Sequence, residues 1–193
     1  MAFIKYSDLR KILEEEMRTG DALLWDGAGF VQDTIGWITG KDKTAPSHAS
    51  MIINIGRRIG VVEANYTDRQ LVIRSLSAKL FAKHGKASWL PTTLTTDQRV
   101  QIYDSAIDRV MSGIEYDTWG CIECIPHAFF PHWFKGPKLK QFSIFCSGEL
   151  ALEWMQVGYI PKSEYAPFPS ELPALIGQEP ITIEMDVTNA KRR

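Results

Sequence analysis

The sequence predicts a single α+β domain in which an antiparallel sheet packs against helices. Three observations carry this prediction. Two β-rich runs, 49–55 and 59–65, flank a short Gly56-Arg57-Arg58 break, the pattern of an antiparallel hairpin. Two segments, 96–111 and 147–157, repeat their apolar residues at helical spacing. The 193 residues show no internal repeat and no linker, and that length suits one buried core spanning 1–193.

The elements follow in order. Ser7 or Asp8 can cap a first helix whose stripe is Leu9, Ile12, Leu13 and Met17, and Gly20-Asp21 stops it. Residues 22–25 read as a short strand, and 29–39 as a helix carrying Phe30, Val31, Thr34, Ile35 and Ile38. The polar stretch 40–46 ends in Pro46 and is a loop. After the hairpin, 71–74 suit a strand, 76–83 a helix and 88–90 another strand. The helix from Thr96 to Met111 places Val100, Tyr103, Ile107 and Val110 on one face, and Gly113 ends it. The helix of 147–157 aligns Leu150, Trp154 and Val157. Four prolines between 161 and 173 mark irregular chain, and 181–187 form a closing strand.

Composition narrows the function classes. Twenty-two basic residues nearly balance 23 acidic ones, so a net charge of −1 supplies no bulk attraction to nucleic acid or anionic lipid. No apolar run approaches the roughly 20 residues of a membrane span. The first 21 residues interleave charges with apolar residues and contain no signal-peptide core. Three cysteines are an odd number for a disulfide framework and fit a reducing compartment. A cytoplasmic protein is expected, or one borne by a phage or released by lysis. Nothing in the sequence assigns an oligomeric state.

One segment carries chemistry. In 141–155 a short apolar run meets an amphipathic helix at Cys146. A thiol at a helix N-terminus feels the positive end of the helix dipole, which favours the nucleophilic thiolate. The free backbone N–H groups there can hold an oxyanion. Such a cysteine needs a base and a group to orient the base. His48, before the first hairpin strand, is the candidate base, and Glu63 lies on the second strand. A turn centred on Ile55-Gly56 places 48 directly opposite 63, where side chains share a face. A turn centred on Arg57-Arg58 separates them.

The ordered motifs resemble a family. Gly20-Asp21-Ala-Leu-Leu, Ser47-His48-Ala-Ser-Met-Ile-Ile, Val61-Val-Glu63-Ala, Tyr116-Asp117, Phe145-Cys146-Ser147 and Glu149-Leu150 resemble the circularly permuted papain-like cysteine hydrolases, the YiiX/YebB-like branch of the NlpC superfamily. Pro169-Ser-Glu-Leu172 resembles that family's segment after the nucleophile helix. The resemblance implies a papain-like α+β fold with Cys146 as nucleophile, His48 as general base and Glu63 as the residue orienting it. Tyr116, Asp117, Trp119 and Ser147 become the candidate substrate-binding residues. Gly148, inserted before Glu149, and the stretch between Asp117 and Cys146 depart from the family pattern.

Two further features stand outside that set. Cys121, Cys124, His127 and His132 have spacings that a zinc ion could accept, but no second CxxC completes a ribbon and Pro126 and Pro131 break the geometry. No metal and no cofactor are expected. Residues 118–145 hold Trp119, Phe129, Phe130, Trp133, Phe134, Phe142 and Phe145, seven of the chain's 21 aromatics (six Trp, six Tyr, nine Phe). This density suits a lid or substrate wall beside Cys146, or equally a second small core.

The expected function is hydrolysis of an amide or peptide bond through an acyl-enzyme, on a peptide, a peptidoglycan fragment or an acylated small molecule. The alternatives are acyl transfer or lipid-ester hydrolysis on the same fold, or a catalytically idle binding or virion module.

Overall fold

The computed structural model describes residues 3–4, 15–25, 46, 48–65, 67–82, 87–120, 137–140 and 143–183. The helix expected over 29–39, most of the one expected to end near Met17, and the strand's continuation over 184–187 lie outside the described residues.

The described chain forms a mixed sheet of nine strands: β1 (Phe3–Ile4), β2 (Ala22–Trp25), β3 (His48–Ile55), β4 (Arg58–Asn65), β5 (Gln70–Ser75), β6 (Ala87–Leu90), β7 (Glu115–Tyr116), β8 (Ser143–Ile144) and β9 (Ile181–Ile183). Their spatial order is β1-β9-β6-β2-β3-β4-β5-β7-β8. The seven strands from β9 to β7 pair antiparallel, and β1 and β8 close the two edges as parallel neighbours. Among the described residues four helices accompany the sheet: α1 (Leu76–Ala82), α2 (Thr96–Met111), α3 (Cys146–Gln156) and α4 (Leu172–Ile176), the last preceded by a 3-10 turn at Pro169–Glu171. The α+β class follows, and the proline-rich stretch is more ordered than expected. Pro173 sits in the first turn of α4, where its missing N–H forfeits no helical bond.

Strand alternation divides the core in two. Ala22 and Leu24 of β2, Ala49, Met51 and Ile53 of β3, and Val62 and Ala64 of β4 meet α2 and α3 on one face. Leu23, Trp25, Ile52 and Val61 point the other way, against Met17, Trp89 and the α1 residues Leu76 and Leu80. Helix α3 lies across β3 and β4 and buries Leu150 and Trp154 completely. Full burial of such a side chain is worth about 1.5–3 kcal/mol.

The hairpin register is neither of the two that the sequence left open. Met51 pairs with Val62 and Ile55 with Arg58, so the turn is the two-residue Gly56-Arg57. Gly56 has φ +59, the left-handed conformation that primed hairpin turns require at their first central position. Continued along the strands, this register sets Glu63 opposite Ser50, and His48 opposite Asn65 two pairs further on. The change preserves the face, so His48 and Glu63 meet diagonally.

Helix α2 begins at a capping box: Thr95 Oγ1 accepts from the Gln98 N–H at 3.3 Å, and Gln98 Oε1 accepts from the Thr95 N–H at 2.9 Å. Its buried line is Ile102 and Ala106, with Tyr103, Ile107 and Val110 flanking it, whereas Val100 is 54% exposed. The small Ala106 allows this close face, so the helix is rotated from the stripe that its larger apolar residues suggest. Between α2 and α3, Arg109 pairs bidentately with buried Glu149 (Nη2–Oε2 2.9 Å) and stands 3.7 Å from buried Glu153. Ser105 Oγ donates to Glu153 Oε1 at 2.9 Å, while Glu153 Oε2 has no partner among the described residues. Burial, then the charge of Glu149, push the Glu153 carboxyl up from 4.5 to about 8. A proton on the unpartnered oxygen relieves the cost.

A second buried carboxylate ties the sheet to α2. Asp21 Oδ2 accepts from the Arg18 N–H (3.1 Å) and Trp89 Nε1 (3.1 Å). Its Oδ1 accepts from Thr92 N (3.1 Å), Thr92 Oγ1 (2.8 Å) and Arg99 Nη1 (3.0 Å). The preceding Gly20 has φ +91, and a Cβ there would fall 2.5 Å from Leu94 Cδ1, so the Gly-Asp pair is fixed by both space and backbone.

Two predictions follow from these charges. Asp21→Ala leaves half-buried Arg99 without its counter-charge and the buried Trp89 and Thr92 donors without their acceptor, and it is expected to cost about 3–5 kcal/mol in urea unfolding. Glu153 keeps a proton in the folded state that the unfolded chain releases. Its contribution to stability therefore declines as pH rises from 4.5 to about 8 and is constant above. Glu153→Gln should flatten that part of the stability–pH curve relative to wild type, as measured by urea unfolding from pH 4 to 9.

Candidate active site

Helix α3 starts at Cys146 because Phe145 is extended (φ −122, ψ 172) and supplies no side-chain cap. The first helical bond runs from the Glu149 N–H to the Phe145 carbonyl. The N–H groups of the first turn therefore have no helical partner, and the Ser147 backbone acts on the thiol itself. Two backbone pairings hold this terminus: Ile144 of β8 runs beside Tyr116 of β7, and the Asp117 N–H donates to the Ile144 carbonyl at 2.8 Å. Gly148, the residue that departs from the family pattern, is buried in the first turn. A Cβ there would meet Ile144, Leu139 and Phe145 at 3.4–3.5 Å, ordinary contact distances, so space does not demand a glycine.

His48 acts on the Cys146 thiol through its charge and through side-chain hydrogen bonding, and the backbone of Ala49 and Ser147 adds to that influence. Burial is the largest single influence on the thiol and pushes its pKa up. The His48 charge, the His48 hydrogen bond and the two backbone bonds together outweigh it, so the thiol lies below its ordinary value. Cys146 is nevertheless partly exposed, which leaves a reagent access to it.

His48 Nε2 lies 2.9 Å from Glu63 Oε2. A carboxylate accepts, so Nε2 carries the proton and Nδ1 is left for the thiol. Glu63 is almost fully buried and takes several donors. Ser50 Oγ donates to Oε2 at 3.1 Å, Lys79 Nζ donates to the same oxygen, and Arg74 Nε stands 3.3 Å from Oε1. The structure thus brings together Cys146, His48 and Glu63 from α3, β3 and β4.

The other expected site residues take different positions. Tyr116 is half-buried against the core, and its N–H donates to the Arg69 carbonyl at 2.9 Å. Asp117 is buried and engaged internally: Oδ1 accepts from the Gly120 N–H at 2.9 Å and Oδ2 pairs with Lys140 Nζ at 2.7 Å. Trp119 is 71% exposed. Ser147 is buried beside Cys146, and its hydroxyl has no hydrogen-bond partner among the described residues. Cys121, Cys124, His127, His132, Phe129, Phe130, Trp133, Phe134 and Phe142 lie outside those residues.

The sequence alone does not mark Ser50, Arg74 and Lys79, which contact Glu63, or Trp25, which contacts Ser50 and Lys79. Ser50 carries the one available signal, since it stands two residues from His48 on the same strand and so shares its face.

No protein-family model and no curated protein matches this sequence. Among solved structures, the chain is similar to the metalloprotein YiiX from Escherichia coli O157:H7, at 17% identity and a TM-score of 0.54, over 74% of this chain and 67% of that one. The likeness is one of fold, and it gives this chain the papain-like α+β architecture of YiiX. The name of that protein raises the question of a metal. Among the described residues, no three His, Cys, Asp or Glu side chains converge on a position that could hold one.

The geometry at sulfur generates a direct test. An unperturbed thiol of pKa about 8.5 is only about 1% thiolate at pH 6.5. Cys146 should be alkylated by iodoacetamide much faster than such a thiol at pH 6.5, and His48→Ala should slow it roughly tenfold or more. Peptide mass spectrometry at timed intervals gives both rates.

Proposed function

We propose that this protein is a cysteine hydrolase of the permuted papain-like, NlpC-type class, cleaving an amide or peptide bond through Cys146, His48 and Glu63. The observation that carries the proposal is the chain of contacts from the thiol at the uncapped start of α3, through the imidazole, to a buried carboxylate. Lowered thiol pKa, partial exposure and backbone donors without helical partners belong together in a nucleophile's surroundings. The leading substrate is a cell-wall peptide; acyl transfer or ester cleavage would use the same steps. The setting is the cytoplasm, or a phage particle or lysate. No described helix is long and apolar enough to cross a membrane.

In the mechanism, the thiol proton passes to His48 Nδ1 and the Cys146 sulfur attacks the carbonyl carbon. The oxyanion so formed faces the N–H groups of the first turn of α3, where the helix dipole also favours negative charge. His48 gives its proton to the leaving amine as the carbon–nitrogen bond breaks. Water, deprotonated by the same nitrogen, then attacks the thioester, and the thiol is regenerated with release of the acid. Glu63 holds the ring in the orientation and tautomer that both halves need.

A carbonyl electrophile at limiting concentration tests the proposal without a known substrate. It should label Cys146 ahead of Cys121 and Cys124. Cys146→Ala should fold normally and lose labelling and turnover. His48→Ala should lose on the order of 10²–10⁴-fold in turnover, and Glu63→Gln less, since it keeps an acceptor for Nε2. First labelling at Cys121 or Cys124, with Cys146 inert in the folded protein, would sink the proposal in favour of a binding module.

A further inference from the structure

The surroundings of Glu63 hold more than a triad requires. Lys79, on α1, is buried beneath the site with 8% of its surface exposed. Its Nζ donates to the Glu63 oxygen that His48 contacts and to Ser50 Oγ at 2.9 Å, and it lies 4.3 Å from the centre of the Trp25 ring. Trp25 Nε1 in turn donates to Ser50 Oγ at 2.9 Å, and Ser50 donates to Glu63. A buried lysine is costly unless paired, and this one is paired with the carboxylate, one hydroxyl and one aromatic face.

The charges around Glu63 can be followed element by element. His48 and Ser50 face it from β3, Arg74 from β5 and Lys79 from α1, while Cys146 on α3 reaches it through His48. Arg74 is 44% exposed and is shared with Asp68, whose charge offsets it. Lys79 is thus the sheltered counter-charge of Glu63. With Glu63 already matched, the imidazolium formed at His48 finds its own opposite charge in the Cys146 thiolate.

We propose that Lys79 is a positioning residue of this site: it clamps the Glu63 carboxylate from below and sets the pH window in which the Cys146–His48 pair exists as thiolate and imidazolium. The proposal rests on the cysteine-hydrolase reading. Lys79 touches neither the thiol nor a substrate; it acts through Glu63. Its positive charge stabilises the thiolate and disfavours the imidazolium, so it draws both ionisations to lower pH. The charge of Glu63 does the reverse.

The experiment measures the pH of half-maximal iodoacetamide alkylation of Cys146, together with the His48 ring titration followed by NMR in a Cys146→Ala background. Lys79→Met, which replaces the ammonium with an apolar chain of similar length, should move both midpoints upward by about half a pH unit or more. Glu63→Gln should move both downward, and Lys79→Arg should restore the wild-type values. Lys79→Gln, which retains hydrogen-bonding capacity without charge, gives the same readout should the methionine variant fail to fold, and it too should move both midpoints upward. Midpoints that stay at wild-type values or fall in the uncharged variants would overturn the proposal, whatever happens to stability. The hydrolase reading fails separately, if wild-type Cys146 titrates as an ordinary thiol in the same assay.

Discussion

The register of the β3–β4 hairpin governs the site. The Gly56-Arg57 turn fixes which residues of the two strands stand opposite each other, and the pleat then assigns every side chain to a face. Odd-numbered residues of β3 (Ala49, Met51 and Ile53) become the apolar floor for α3. Even-numbered residues near its start, His48 and Ser50, join Glu63 in the polar cluster on β4. A slip of one residue would exchange the two sets, burying the imidazole under the helix and turning methionine and isoleucine toward Lys79. Helix α3 adds the nucleophile only because its own apolar face, Leu150 and Trp154, has that floor to rest on.

Buried charge is handled in three different ways around this frame. Asp21 is satisfied by donors: two side-chain N–H groups, one hydroxyl and two backbone N–H groups gather on its two oxygens, and they come from the approach to β2, β6, the chain after β6, and α2. Glu63 is satisfied mainly by cations and an imidazole. The α2–α3 seam instead places two glutamates around one arginine, and there a proton completes the balance. In each case the buried polar group would be costly alone, so the partners determine how neighbouring elements are spaced. Trp154 shows the link between the first and third of these places: its ring is buried in the core under α3, while its Nε1 donates to the Gly20 carbonyl at 2.9 Å, next to Asp21.

Much of this was legible in the residues, for reasons that differ by element. The strand over Ala22–Trp25 and the helix over Thr96–Met111 were readable because their boundaries carry local chemistry: Gly-Asp before one, and Gly113 after the other. The hairpin was readable as a hairpin, but its register was not, since Gly-Arg-Arg permits more than one turn and the choice depends on φ at Gly56. Cys146 and His48 stand out in the sequence by their positions at element ends. Lys79 does not, because a lysine in a helix of ambiguous boundaries reads as solvent-facing until α1 is known to lie over β4 and β5. The burial of Glu149 and Glu153 is illegible for the same reason, since only Arg109 on a neighbouring helix makes it tolerable.

The way the sheet ends has a bearing on how the molecule behaves among its own copies. Its longest strands, β3 and β4, have eight residues each and stand near the middle, whereas the outermost, β1 and β8, have two each. Open backbone donors and acceptors on a long edge act as a template for another chain, the first step of strand-swapped oligomers and fibrils. Here the described edges offer so few that the valine- and isoleucine-rich centre, the part of the sequence best suited to cross-chain stacking, is shielded by its neighbours for as long as the sheet stays closed.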